Sequence, residues 1–408
     1  MNILESVKDR FIRYVQLDTQ AKSNVDTCPS TPGQLVLAKV LEEECIQLGL
    51  QEVRKDSNGY VYASLASNLK HEVPAIGFLA HMDTSPDFSG VNVKPKVTSN
   101  YDGGDIILRN GIVLSPTEFP CLKGYVGQDI ISASGDTLLG ADDKAGIAEI
   151  LTAMEYLIKH PDIPHAKICV AFTPDEEIGR GADKFDLKSF GATFAYTIDG
   201  GEIGEMKSEN FNAAQAEINI TGKSVHPGAA KGIMVNAVLV AAELVSKMPA
   251  NEIPAKTDDY EGFFHLMELQ GCVEHAKMFY SIRDHDMNKF NERKAFIKRI
   301  VAELNEKYAG ALRLKLDDEY YNMAEPLTEH KHVIELANKA MEDAGVKPLH
   351  TPIRGGTDGA RLSYMGLPCP NIFTGGHNGH GPYEYIPLQS MGKAVEVILN
   401  ICKLYGRD

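Results

Sequence analysis

Three short runs, Ala75 to Ala80, Lys167 to Phe172 and Phe194 to Ile198, are almost entirely apolar, and each gives way abruptly to histidine or acid. Runs this short and this uniformly apolar read as strands buried on both faces, the kind that a sheet covered by helices requires. Between and around them lie helical patterns. The segment Met1 to Gln20 is apolar at helical spacing, Ser30-Thr31-Pro32 offers a cap and a first-turn proline for a helix over Gln34 to Leu48 closed by Gly49, and Lys144 to Lys159 keeps a helical period. Tyr60 to Ala66, after an Asn58-Gly59 turn, is a further strand. Alternation of this kind predicts an α/β domain built on a sheet.

The order changes near Asn212. A strand runs to Ile220, a helix follows over Ile233 to Lys247, strands over Phe263 to Leu269 and Lys277 to Ile282, a helix over Met287 to Tyr308 and a strand over Leu312 to Leu316. This β-α-β-β-α-β order is the split arrangement of a ferredoxin-like domain. Patterns of the first kind then return at Glu329 to Ala344, Pro370 to Phe373 and Leu388 to Leu404. The chain therefore divides into one domain made of residues 1–209 and 324–408 and a second, residues 210–323, inserted within it; 408 residues suit two such units.

With 56 acidic against 41 basic residues the formal charge is −15, which argues against a nucleic-acid or anionic membrane partner. No apolar run approaches the ~18 residues of a membrane span, and the first helix carries no secretion signal. Seven cysteines, an odd number without a Cys-x-x-Cys pair, suit reduced thiols and a cytoplasmic location. Cys45, Cys169 and Cys402 lie within apolar patterns and are expected to pack in the core. Neither a Gly-x-Ser-x-Gly elbow nor a phosphate-binding loop of the Gly-x-x-x-x-Gly-Lys type is present.

The chemistry is carried by what stands at the ends of the apolar segments. His81 and Asp83, two apart on a strand, face the same side, so the carboxylate can orient the imidazole. Alone, that pair is more often an unremarkable surface feature. Asp142 and Asp143 precede an apolar helix, where acids commonly serve as cap and first-turn charge. Asp175, Glu176 and Glu177 follow a buried strand, and a run of acids is ordinarily just solvated. Asp199 repeats the pattern. Taken together, His81, Asp142, Glu177 and Asp199 fall toward one sheet edge and suggest a metal site. Histidine and carboxylate without sulfur fit zinc, manganese or cobalt, and a fifth ligand with one shared carboxylate suffices for two ions. Both His377 and His380, in the glycine-rich loop Gly375 to Gly381, are candidates for that place.

Ala80 to Pro86, Leu139 to Ile150, Ala171 to Gly179, Ile198 to Gly201 and Ile353 to Gly359 resemble motifs of the zinc metallopeptidase family that includes tripeptide aminopeptidases, carboxypeptidase G, acetylornithine deacetylase and desuccinylases. The resemblance covers nearly the whole chain and is closest to the tripeptide-aminopeptidase branch. It implies two Zn2+ ions per subunit, replaceable by Co2+ or Mn2+, with His81 and Asp199 on one, Glu177 and His380 on the other and Asp142 bridging. His380 is preferred to His377 because Glu384 follows it at the family spacing. Asp83 would orient His81, Glu176 would act as general base, and the peptide after Asp142 would be cis.

For the inserted domain the resemblance implies dimerisation. His226, in Ser224 to Gly228, would reach the partner subunit's site to steady an oxyanion, and Asn236, Arg283 and Arg354 would receive the substrate's terminal carboxylate. Without the resemblance, His226 is a turn histidine, and Arg283 beside Asp284 an ordinary surface pair. The implied activity is that of a homodimeric, cytoplasmic aminopeptidase releasing the first residue of tripeptides by attack of a water that bridges the zinc ions. A dipeptidase, carboxypeptidase or N-deacylase with the same metals is the near alternative, and a dimeric binding protein without catalysis the distant one.

Overall fold

The computed structural model describes residues 1–407, and they form two compact units. The larger is made of Met1–Ser208, Glu325–His350 and the residues from Thr357 onward; the smaller of Glu209–Ala324 and Thr351–Gly356. The segment Thr351–Gly356, expected with the larger domain, belongs to the smaller. Its backbone pairs there: Ile353 accepts from Phe211 N–H at 3.1 Å and donates to the Glu209 carbonyl at 2.8 Å.

An eight-stranded mixed sheet runs through the larger unit in the order Gln51–Lys55, Val61–Leu65, Ile168–Thr173, Ile76–His81, Phe194–Ile198, Asn371–Ile372, Glu205–Lys207 and Leu349–His350. The three apolar runs are its parallel centre, and their strands are buried along their whole length. In that register His81 stands beside Thr173 and Leu79 beside Thr197. The residues just past these strands therefore meet at one edge. Helices Ile3–Val15, Ala141–Lys159, Lys331–Asp343 and Leu388–Tyr405 contribute Phe11, Ile147, Met341 and Val395 to the core against the sheet.

Several ends differ from expectation for local reasons. The first helix begins after Asn2, whose side chain accepts from Glu5 N–H, and stops at Val15. Thr31 caps its helix only by position, because its hydroxyl bonds the Gln20 carbonyl at 2.8 Å instead. Gly49 does close that helix, at φ 83°. A second sheet of Lys96–Thr98, Ile130–Ser132 and Tyr385–Pro387 and the short helix Asp358–Tyr364 were not anticipated.

The smaller unit is a four-stranded antiparallel sheet ordered Phe263–Gly271, His275–Asp284, Asn212–Thr221 and Leu312–Tyr320. Numbered along the insertion this is 2-3-1-4, which is ferredoxin-like. Ala214, Ala216, Ile218 and Ile220 alternate onto one face, where helices Ala237–Lys247 and Met287–Lys307 cover them. The first of these helices starts four residues later than its apolar pattern, because Asn236 turns its Oδ1 to the N–H groups of Val238 and Leu239.

Where the chain enters and leaves this unit, three asparagines clamp the two passes. Asn210 Nδ2 donates to the carbonyls of Phe211 and Tyr321 while its Oδ1 accepts from Met323 N–H. Asn212 Oδ1 accepts from Asn322 N–H, and Asn322 Oδ1 from Asn210 N–H. Asn210 and Asn212 are fully buried, so each bond lost strands a desolvated group. Asn210→Ala is expected to destabilise the protein by about 2–4 kcal/mol. Urea unfolding of the two proteins measures this, and a change within 0.5 kcal/mol, about the size of a surface substitution, refutes it.

Candidate metal centre

His81 is the last residue of a central strand and is buried. Its Nε2 lies 2.9 Å from Asp142 Oδ1, 3.8 Å from Asp199 Oδ1 and 4.0 Å from Glu176 Oε2. His380 Nε2 lies 3.0 Å from Glu177 Oε2 and 3.6 Å from Asp142 Oδ2. Asp142 thus stands between the two imidazoles, with Asp199 on the His81 side and Glu177 on the His380 side. The peptide between Asp142 and Asp143 is cis. His377, the rival in the glycine-rich loop, is turned away: its ring stacks on Tyr385 at 4.7 Å and its Nε2 lies 2.7 Å from the Tyr125 hydroxyl.

The supporting shell explains how these groups are held. Both oxygens of Asp83 accept backbone N–H groups, from Glu176 at 3.0 Å and Glu177 at 3.1 Å. His81 Nδ1 is nearer the Asp83 carbonyl, 3.1 Å, than its carboxylate, 3.5 Å, so Asp83 orients the ring chiefly through its main chain. Asp175 sits at φ 60°, a left-handed conformation unfavourable for a side chain. Its carboxylate accepts from Ser30 N–H and Gln34 Nε2, which lock that turn and aim Glu176 and Glu177.

Asp143, Asp358 and Glu384 complete the arrangement, and no supporting role was assigned to them from sequence. Asp143 accepts from His81 N–H and Gly146 N–H. Asp358, whose motif was noted but whose carboxylate was not, accepts from the Thr173 hydroxyl at 2.8 Å. Glu384 accepts from four successive N–H groups, Leu139 to Asp142, at 2.6–3.2 Å and so fixes the approach to Asp142. Only its spacing from His380 was visible beforehand.

The protonation balance is abnormal throughout. Burial, then the neighbouring Asp199, Asp358 and Glu177 charges, push the Glu176 carboxyl well up despite His81. Burial raises Glu177 to about 7 against its His380 hydrogen bond, and burial with Asp142 raises Asp199 to about 6. Hydrogen bonds to Asp142 and Glu177 push His380 up to about 11. Burial opposes charge on His81, yet its bonds to Asp142 and Asp83 overcome this and raise it too. Crowded acids relieved chiefly by imidazoles, with Lys207 acting on Asp199, call for a cation. The donor geometry fits one: single ligand atoms of His81, Asp142 and Glu177, and likewise of His81, Asp143 and Asp199, lie within 4.8 Å of one another. Glu177 Oε1 is buried without a hydrogen-bond partner. Asp143 is already committed to two backbone donors, leaving Asp199 as the more available ligand of its group.

The remaining expected residues lie in the smaller unit. His226 is exposed, and its Nδ1 accepts from Gly228 N–H at 3.1 Å, so the neutral ring carries its proton on Nε2. Asn236 spends its Oδ1 on the helix cap described above. Arg283 donates from Nε to Ser281 and from Nη1 to the Arg354 carbonyl. Arg354 is more heavily engaged, its two Nη atoms donating to the carbonyls of Thr257, Asp259 and Glu261 and to the Thr257 hydroxyl. Those donors hold a loop.

Residues 139–404 match the model of peptidase family M20/M25/M40. A "Peptidase T" of Caldanaerobacter subterraneus subsp. tengcongensis is 55% identical over 407 residues, covering 99% of this chain and all of the relative. The crystal structure of aminopeptidase PepT from Bacillus cereus superposes with a TM-score of 0.79 at 25% identity, covering 99% of both chains. That of a tripeptidase from Staphylococcus aureus gives 0.81 at 22% identity and the same coverage, a likeness of fold. By the extent of the family match and by identity along its whole length, this chain belongs to peptidase family M20/M25/M40.

Proposed function

We propose that the protein is an aminopeptidase that releases the N-terminal residue of tripeptides at a two-metal centre. The observation that carries this reading is the placement of Asp142 between His81 and His380. We assign His81, Asp142 and Asp199 to one ion and Asp142, Glu177 and His380 to the other, zinc being the expected metal and cobalt or manganese the substitutes. Cations so held supply Lewis acidity, making a water more acidic and a peptide carbonyl more electrophilic. Glu176 takes the proton of the attacking water and returns it to the leaving amine. Asp83 and Glu384 act by position, the first holding the Glu176–Glu177 turn and the second the loop before Asp142.

His226, with Nε2–H as its donor, is suited to receive an oxyanion. We assign Arg283 and Asn236 to the substrate carboxylate, with Arg354 supporting Arg283 through its carbonyl. The unit that carries these groups also has the marks of an interface. Leu239, 65% exposed, and Val238 and Val245 form an apolar stripe on helix Ala237–Lys247, and Met267 and Leu269 stand exposed on the open edge strand Phe263–Gly271. A homodimer joined there is our reading. Unpaired cysteines throughout support a reducing, cytoplasmic compartment.

Glu176→Ala is expected to keep both metals while kcat falls by about 10²–10⁴, and Glu177→Ala to lose metal. Elemental analysis of the purified variants decides; metal lost from the first and kept by the second would exchange the two roles.

If the carboxylate is held at a fixed distance from the metals, peptide length selects the bond that is cut. Arg283→Ala should then weaken turnover of a tripeptide roughly tenfold to a hundredfold while sparing its C-terminal amide, as for loss of one charge-assisted bond of about 1.5–3 kcal/mol. Kinetics on the tripeptide, its amide, its N-acetyl form and the matching dipeptide test this. Preference for the N-acetyl compound would establish a deacylase instead.

His226→Ala and Glu176→Ala, each inactive alone, should regain activity on mixing, because some heterodimers then hold one complete site. Subunit exchange demonstrated by mass spectrometry without any recovery of activity would rule out action of His226 across the dimer.

A further inference from the structure

A second cluster of ligand-bearing side chains lies in the larger unit, composed of residues outside the His81–His380 set. Cys121 sits in the 3-10 segment Pro120–Tyr125, Glu202 in the turn after Asp199 and His377 in the glycine-rich loop. One sulfur, one carboxylate oxygen and one ring nitrogen from these three lie within 4.8 Å of one another. Tetrahedral zinc, with bonds of ~2.0–2.3 Å, sets its ligand atoms roughly 3.3–3.8 Å apart, against an upper bound of 4.8 Å in this cluster.

His377 is already positioned for this. Its ring lies 8° from parallel with Tyr385 and is held by the Tyr125 hydroxyl. Burial pushes its pKa down to about 4, which keeps it neutral, the form a metal takes. Burial, the Glu202 charge and a hydrogen bond to Glu202 hold the Cys121 thiol up, so the thiolate needs a cation to form there.

An independent observation points to a missing partner. The Tyr385 hydroxyl is fully buried and makes no hydrogen bond; burial chiefly holds its proton on, and the ionisable groups that act on it are Tyr125, Cys121, Glu202 and Tyr101. A buried unpaired hydroxyl is costly, and a hydrated ion in the cluster supplies what it lacks. Glu202 and His377 also line a cavity of about 300 Å³ that contains Asp142.

We propose that Cys121, Glu202 and His377 form a separate metal site for a borderline-soft divalent cation of the zinc or cobalt class, with an open position toward the cavity shared with Asp142. Sulfur and imidazole together select against magnesium and calcium.

Cobalt(II) titration of the full-length protein tests the assignment, because thiolate-to-cobalt charge transfer in the near ultraviolet requires a sulfur ligand and the His81–His380 set has none. The band is expected to appear, to vanish in Cys121→Ser and to need at least tenfold more cobalt in Glu202→Gln. It should be unchanged in Cys272→Ser, a necessary control because Cys272 Sγ lies 3.3 Å from His275 Nδ1. In the wild-type protein zinc should slow alkylation of Cys121 by iodoacetamide at least tenfold, as followed by peptide mass mapping. No band at saturating cobalt, a band that survives Cys121→Ser, or alkylation indifferent to zinc overturns the proposal.

Discussion

Acids packed out of water repel one another, and the larger unit concentrates them at the edge where its central strands end. The chain meets this constraint in two ways. Asp83, Asp143, Asp175 and Glu384 are each given backbone N–H donors, which spread their charge into fixed dipoles. Asp142, Glu176, Glu177 and Asp199 receive no backbone donor to their carboxylates among the described residues. The same residue type is thereby divided into acids held by the backbone and acids left without such donors, the set we assign to the metals and to proton transfer. Removing a backbone donor from the first group would disturb the second without touching it.

Much of this was legible in the sequence because the residues we assign as ligands adjoin strongly patterned segments. His81 ends one apolar run, Glu177 follows another and Asp199 a third, and a strand buried on both faces leaves little doubt about its type. The insertion was legible for a similar reason: the change of order at Asn212 and its reversal after Leu316 are long, periodic signals. The Lys96–Thr98, Ile130–Ser132 and Tyr385–Pro387 strands carry no periodicity at three residues each, so their sheet was invisible.

Contacts across long separations were equally hidden. Nothing near Glu384 announces that it will bind the backbone 242 to 245 residues earlier, and Cys121 meets Glu202 and His377 only through the folded chain. Arg354 illustrates a different limit. A guanidinium in a striking motif suggests an anion, but its five donors serve peptide carbonyls just as well, and only the geometry shows that those of Nη1 and Nη2 are spent on the Thr257–Glu261 loop. Thr351–Gly356 was misassigned for the same reason, since its neighbours in sequence are not its neighbours in space.

The strand Asn371–Ile372 sits between Phe194–Ile198 and Glu205–Lys207, and Glu384 grips the loop before Asp142, so the larger unit is finished by its last quarter. During synthesis, everything from Met1 to Ser208 leaves the ribosome without the strand that joins its two sheet halves and without the carboxylate that shapes its acidic edge. The smaller unit must likewise wait for Thr351–Gly356, which emerges only after Glu325–His350. A chain made only to residue 330 therefore has the four strands of the insertion but lacks Leu349–His350 and Asn371–Ile372 of the larger sheet. The acidic edge is thus completed by segments far along the chain from the strands that lead into it, and a chain truncated before residue 371 keeps the strands leading to His81, Glu177 and Asp199 but lacks both the strand Asn371–Ile372 and Glu384.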